Sequence, residues 1–189
     1  MGAEVNEAAN KSVSLKNPEL NIIIEIVRGQ AFIGHNKIEG YGGLPNGSGE
    51  IAVSLLSSGI DSPVASFEMI KRGINLDYIH FHSFPAINKQ AIDNVKKLLE
   101  ILTEYQLEST LYLVPLLDIQ QKIMELIPDK YWVIFFRRFM IYIANIIGQK
   151  NQSVALITGD SVGQVASQTL SNIRAISDIS DLPILRPLA

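Results

Sequence analysis

Residues 51–73 read Ile51-Ala52-Val53-Ser54-Leu55-Leu56-Ser57-Ser58-Gly59-Ile60-Asp61-Ser62-Pro63-Val64-Ala65-Ser66-Phe67-Glu68-Met69-Ile70-Lys71-Arg72-Gly73. Residues 51–56 are apolar apart from Ser54 and bounded by a polar turn, which predicts a short strand buried on both faces. Pro63 suits the first turn of a helix, where its missing N–H has no intrahelical partner, and Gly73 closes a helix over 63–72. Working downstream, the same alternation recurs. Strand 76–81 leads through Ser83-Phe84-Pro85 to a helix near 87–105, and a strand follows at 110–114. Helices near 118–127 and 131–149, a strand at 154–158, a helix near 161–173 and the start of a strand at 183–185 complete the chain. Strands alternating with helices predict an α/β fold, a three-layer parallel sheet with helices on both faces.

Upstream, residues 22–27 are β-branched, and Ala31-Phe32-Ile33 follows Arg28-Gly29, a pattern that predicts a small hairpin within a short β segment, 21–39. Residues 40–49 hold five glycines and a proline, which disfavours helix and strand. A domain junction is placed at 40–50, and a plain flexible linker is the alternative. Residues 1–20 read as a flexible arm.

The 189 residues are 47% hydrophobic and 19% charged, which excludes disorder over most of the length and leaves room for one substantial core plus a stub. With no cysteine, disulfide scaffolds, thiolate metal sites and thiol chemistry are excluded. Lys and Arg number 16 against 19 Asp and Glu, a net charge of -3, so no global basic field drives non-specific nucleic-acid binding. The most apolar stretch, 131–147, carries Arg137 and Arg138 at its middle, where hydrocarbon would penalise both. It predicts a buried helix and no membrane. Residues 1–15 lack the apolar run of a secretory signal, so the expected location is cytoplasmic.

In such sheets ligands bind at the carboxyl ends of the strands. The turn Ser57-Ser58-Gly59-Ile60-Asp61-Ser62 leads into a helix N-terminus and either cradles phosphate or caps that helix through Asp61 or Ser62. It is neither a Walker A loop nor a dinucleotide fingerprint. The second turn follows His80-Phe81, where a flat ring could hold a purine. The third is Thr158-Gly159-Asp160-Ser161, where Gly159 lets the backbone approach a ligand and Gln164 and Gln168 share one helix face. Arg137, on an apolar helix, suggests a buried anionic partner such as phosphate, whereas Arg138 reaches solvent or a structural carboxylate. Pairs such as Lys71-Arg72 and Lys96-Lys97 read as solvated helix faces.

The 57–62 turn resembles the Ser-Gly-Gly-x-Asp-Ser signature of PP-loop ATP pyrophosphatases. Its continuation Pro63-Val64-Ala65 narrows the likeness to the tRNA 4-thiouridine synthetases, the ThiI or tRNA sulfurtransferase family. Residues 40–49, residues 55–65, Arg137-Arg138-Phe139-Met140, Thr158-Gly159-Asp160-Ser161-Val162-Gly163-Gln164-Val165-Ala166-Ser167-Gln168-Thr169 and Leu185-Arg186-Pro187-Leu188 follow the family pattern in order. The resemblance implies a Rossmann-like PP-loop domain over 51–189, with 21–39 as the end of a THUMP-type domain. It also implies ATP contacts at Leu55, Leu56, Ser57, Ser58, Gly59, Asp61, Ser62, His80, Phe81, Arg137, Gly159 and Gln168. Asp61 is the candidate catalytic residue, orienting Mg²⁺ or the loop, and Asp160 is a candidate to assist a metal.

The implied activity is ATP-dependent adenylation of a tRNA uridine for sulfur transfer, with a family link to thiamine biosynthesis. The alternatives are a degenerate ATP-binding module without turnover and another PP-loop ligase with a small acceptor. The implied partners are tRNA, a cysteine-persulfide donor (a cysteine desulfurase or carrier protein), and a partner chain or second copy. Three departures from the family pattern stand out. Ser58 replaces the second glycine of the signature and would cost about 1 kcal/mol if that position needed positive φ. No cysteine is present to carry sulfur. Too few residues precede 40 for a whole THUMP domain, and the chain stops soon after Arg186. These features suggest a fragment, a truncated product or half of a split enzyme.

Overall fold

The computed structural model describes residues 2–9, 13–14, 16–35, 37–86, 89–165 and 168–189. The chain divides into two compact units, Met1–Gly42 and Gly43–Ala189.

In the first unit, a helix α1 (Gly2–Ala9) occupies part of the stretch read as an arm without regular structure. Strands β1 (Ile23–Val27) and β2 (Gln30–Gly34) pair antiparallel with Val27 opposite Gln30, the hairpin that the sequence suggested. Arg28 and Gly29 both take positive φ, 49° and 78°, which matches a turn whose twist suits the flanking strands. Ile26, Phe32 and Ile33 are exposed, because a two-stranded ribbon has no face of its own to bury them against.

The second unit begins inside the expected junction. Leu44 N donates to Lys71 O at 2.8 Å and Gly49 N to Gly73 O at 2.9 Å, so residues 44–49 are bonded along the end of the first crossover helix rather than forming a free tether. Gly43 is required there: φ is +96° and a Cβ would lie 2.2 Å from Lys71 O.

Beyond it run β3 (Ile51–Leu55), α2 (Asp61–Ile70), β4 (Asn75–His82), α3 (Gln90–Thr103), β5 (Leu111–Pro115) and α4 (Leu117–Leu126). A short 3₁₀ turn at Asp129–Tyr131 follows. The chain continues with α5 (Trp132–Lys150), β6 (Ala155–Ile157), α6 (Leu170–Ser177) and β7 (Ile184–Leu185). The sheet order is β5-β4-β3-β6-β7, and all its pairings are parallel. This is the doubly wound α/β fold expected from the alternation of strands and helices.

Alternation along the strands fills two core layers. Ala52, Leu76, Tyr78, Ala155 and Ile157 pack with Ala65, Met69, Val95 and Leu102 of α2 and α3. Val53, Ile79 and Leu156 pack with Ile141, Ala144 and Ile176 of α5 and α6. By length and composition residues 129–150 are apolar enough to cross a membrane. In this fold α5 covers one face of the sheet, and Arg138 donates to Ala175 O of α6 rather than reaching solvent or a carboxylate.

Two boundaries depart from expectation in ways that matter for the site. Asp61 is the first residue of α2, Ile60 is its N-cap with no side-chain cap bond, and Pro63 sits in the first turn. Neither Asp61 nor Ser62 therefore caps the helix. The helix expected at 161–173 is found at Leu170–Ser177, because Gly163 turns into the left-handed region at φ 77°. Thr169 then caps α6, its side chain accepting from Asn172 N at 3.3 Å. Thr169→Ala is expected to lower stability by about 1 kcal/mol in chemical denaturation.

Candidate functional site

After β3 the chain winds to β4 and β5 on one side, then returns to place β6 and β7 on the other. The helices leaving β3 and β6 diverge at this reversal, which opens a crevice at the carboxyl ends of those strands. A cavity of about 340 Å³ occupies it. All the site residues named from the sequence line it except Ser58, which is exposed and outside the lining. The sequence reading passed over Ile79 and Ile141, apolar walls from β4 and α5 that nothing in the local pattern distinguishes from core, and it named Met140 only within the Arg137-Arg138-Phe139-Met140 block.

The loop after β3 is latched to the helix it feeds. Ser57 N donates to Ser62 Oγ at 2.8 Å, the Ser57 and Ser62 hydroxyls meet at 3.0 Å, and Gly59 N donates to Ser57 Oγ at 3.2 Å. The hydroxyls of Ser57 and Ser62, two of the implied ATP contacts, are therefore bonded to each other. Beneath them, Ser66 Oγ donates to Ser62 O at 2.8 Å and meets Ser54 Oγ at 2.8 Å, anchoring the first turn of α2 to β3. With Ile60 providing no side-chain cap and Pro63 no N–H, the positive end of α2 faces the cavity through Asp61 and Ser62. Neither Ser58 nor Gly59 is among the residues at positive φ, so the cost anticipated for serine at 58 does not arise.

His80 is buried, with Nδ1 2.8 Å from Leu56 O. Burial lowers its pKa, the bond to Leu56 O partly offsets this, and His82 lowers it further. Neutral at pH 7, the ring must carry its proton on Nδ1 to donate to that carbonyl, which leaves Nε2 as an acceptor. Among the described residues, His80 Nε2 and Gln168 Oε1 are both buried without a hydrogen-bond partner, on residues that line the cavity. Buried polar atoms of this kind usually have partners, and a polar ligand in the crevice would supply them.

Asp160 organises the opposite wall. Its Oδ1 accepts from Arg137 Nη2, and from Gln168 Nε2 at 3.5 Å. Its Oδ2 accepts from Thr158 Oγ1 at 2.9 Å and from Arg186 Nε at 3.4 Å. Burial pushes the Asp160 carboxyl upward, but the charges and hydrogen bonds of Arg137, Thr158 and Arg186 outweigh it and hold the pKa below the ordinary value. Arg137 thus has a protein carboxylate as an anionic partner while still lining the cavity. Asp160, expected to assist a metal, is shared between two arginines. Gly159 plays a packing role: its Cα lies so close to the first turn of α2 that a Cβ would sit 2.6 Å from Ser62 N.

The residues that line the crevice all lie within a stretch that matches a known family model. Residues 47–189 match the family model described as "Thiamine biosynthesis protein (ThiI)". The chain belongs to the ThiI family. A protein of Alkaliphilus oremlandii named "Probable tRNA sulfurtransferase" is 44% identical over 187 residues, covering 99% of this chain and 47% of the relative. A Thermus thermophilus protein of the same name is 39% identical, covering 100% of this chain and 46% of its own length. A crystal structure of a 4-thiouridine synthetase–RNA complex with bound ATP superposes with a TM-score of 0.83 at 38% identity, covering 100% of this chain and 50% of that one. The chain therefore spans about half the length of these ThiI relatives.

Among the described residues, no group of three or more His, Asp or Glu side chains gathers to hold a metal. Asp61, half-buried at the cavity wall, is the carboxylate of the loop. This donor set suits Mg²⁺, which is commonly bound through one or two carboxylates together with substrate phosphates.

Proposed function

We propose that the second unit is the adenylation domain of a tRNA 4-thiouridine synthetase, acting in the cytoplasm. The observation that carries this reading is the crevice itself. A helix N-terminus and Arg137 stand on its walls, as do His80 and Gln168, whose buried Nε2 and Oε1 lack hydrogen-bond partners among the described residues. The first features favour a polyphosphate and the second a polar nucleoside. The bound ATP and the RNA of the related crystal structure support extending the reading to this chain.

In this reaction the carbonyl oxygen of a tRNA uridine attacks the α-phosphorus of ATP. The bond to pyrophosphate breaks; later the outer sulfur of a cysteine persulfide attacks the activated carbon, AMP leaves, and a second thiol of the donor reduces the resulting S–S bond to free the thiolated base. The amides at the start of α2 and the Arg137 guanidinium meet the charge that develops on the departing pyrophosphate. Asp61 would hold Mg²⁺, which when bound would neutralise phosphate charge. Leu55, Leu56 and Phe81 form apolar walls for the nucleoside, and the loop is open beside Gly59, where a Cβ would make only an ordinary contact with Ser57 Oγ at 3.5 Å. These 189 residues hold no cysteine, so the persulfide is assigned to a cysteine desulfurase, a carrier protein or further sequence. The hairpin of the first unit is assigned to the end of a THUMP-type domain. The remaining RNA-binding surface is assigned to further sequence, a partner chain or a second copy.

The test is to incubate the chain with ATP, Mg²⁺ and unmodified tRNA and to measure AMP on the nucleic acid and pyrophosphate release. Asp61→Ala is expected to slow pyrophosphate release by about a hundred-fold, the scale of losing one charge-stabilising group. Unchanged release removes Asp61 from the mechanism. ATP binding without turnover points instead to a nucleotide-binding module.

A further inference from the structure

Arg186 lies in the Leu185-Arg186-Pro187-Leu188 block, and the reading above gives it no role. It does not line the cavity, and its side chain is only 14% exposed. It is held at two points: Nε donates to Asp160 Oδ2 at 3.4 Å, and Nη2 donates to Ser177 Oγ of α6 at 2.8 Å. The backbone delivers it there. Strand β7 pairs with β6, Leu156 beside Ile184 and Ile157 beside Leu185, and Thr158 N donates to Leu185 O at 3.1 Å. The turn before β7 is fixed in turn by buried Asn145 of α5, whose Oδ1 accepts from Asp181 N and Leu182 N, each at 3.1 Å.

A carboxylate gripped on one oxygen can still swing about its broad terminal torsion. Asp160 is gripped on both: Oδ1 faces Arg137, and Oδ2 faces Thr158 and Arg186. Thr158 comes from the same loop as Asp160, so Arg186 is the contact that ties Oδ2 to a separate strand. We propose that Arg186 is a positioning residue: by holding Oδ2 it sets the plane of Asp160, and through Oδ1 the place at which Arg137 presents its guanidinium to the phosphates of a nucleotide. The end of the last strand thereby tunes an anion site it does not touch. The phosphate half of this inference rests on the ATP reading above; the coupling of Arg186 to Arg137 does not.

Two measurements separate them. In the ligand-free chain, the Arg137 Nε–H resonance, assigned by its loss in Arg137→Lys, is expected to move in Arg186→Gln. It should move less in Arg186→Lys, which keeps a cation beside Oδ2. A resonance that stays in place in a folded Arg186→Gln protein overturns the proposal whether or not ATP binds. By titration calorimetry, Arg186→Gln is expected to weaken ATP about ten-fold while adenosine affinity stays within about two-fold, with partial rescue by Arg186→Lys. Equal losses for both ligands, or undiminished ATP affinity, overturn phosphate positioning. If the unsubstituted chain binds no ATP, the site reading under Proposed function fails, and the resonance decides the coupling of the two arginines.

Discussion

Asp160→Asn is expected to lower the unfolding free energy by about 3 kcal/mol in urea at pH 7, because it leaves two largely buried guanidinium groups facing a neutral amide. The side chains concerned are 23%, 14% and 9% exposed for Arg137, Arg186 and Asp160, so water relieves little of the loss. The pH dependence provides a second signature. The folded-state pKa of Asp160 is depressed, so its contribution is complete above the unfolded value of about 3.9 and is lost as pH falls through the lower folded value. The parent should lose stability across that acid range, and the Asn variant should show a flatter profile there. His80, whose folded pKa is also depressed, adds a separate decline that begins below about pH 6.5 in both proteins.

Gly159→Ala is expected to cost about 3 kcal/mol, at the upper end for overpacking, and to abolish measurable ATP binding. The new methyl would lie 2.6 Å from Ser62 N, 2.7 Å from Ser62 Cα and 2.8 Å from Asp61 C. All three are backbone atoms, so no side chain can swing aside, and the first turn of α2 must move away from β6. That turn is the wall of the cavity that carries its amides. A urea midpoint equal to the parent's would show that α2 and β6 have room to separate; calorimetry with ATP reads the consequence for the site.

The architecture was legible because buried parallel strands are short apolar runs, and residues 51–56, 76–81, 110–114 and 154–158 stand out between polar turns. The site loop was legible for a related reason: Ser57, Ser58 and Gly59 are too small to be core and too close to a helix start to be an ordinary connection. The 161–169 segment misled. Its Val, Ala, Ser and Gln residues suit a helix, but Gly163 breaks the run and Thr169, three residues before Asn172, is where the helix is capped. The charged wall was legible only in pieces. Arg137, Asp160 and Arg186 lie on α5, after β6 and after β7, and no local spacing links them, so the guanidinium taken as waiting for phosphate already faces a carboxylate. Ser58 could be recognised as a departure, but its backbone angle could not be read from its neighbours.

The pairing of Ala52 with Ala155, parallel and across most of the unit, bears on biosynthesis. As the polypeptide leaves the ribosome, the turn after β3 emerges well before the strand that forms the other lip of the crevice and the arginine anchored beyond it. Contacts so distant along the chain form late and slowly. A nascent chain therefore exposes one lip of the crevice until β6 and the segment bearing Arg186 have been made, and only then can the two lips meet.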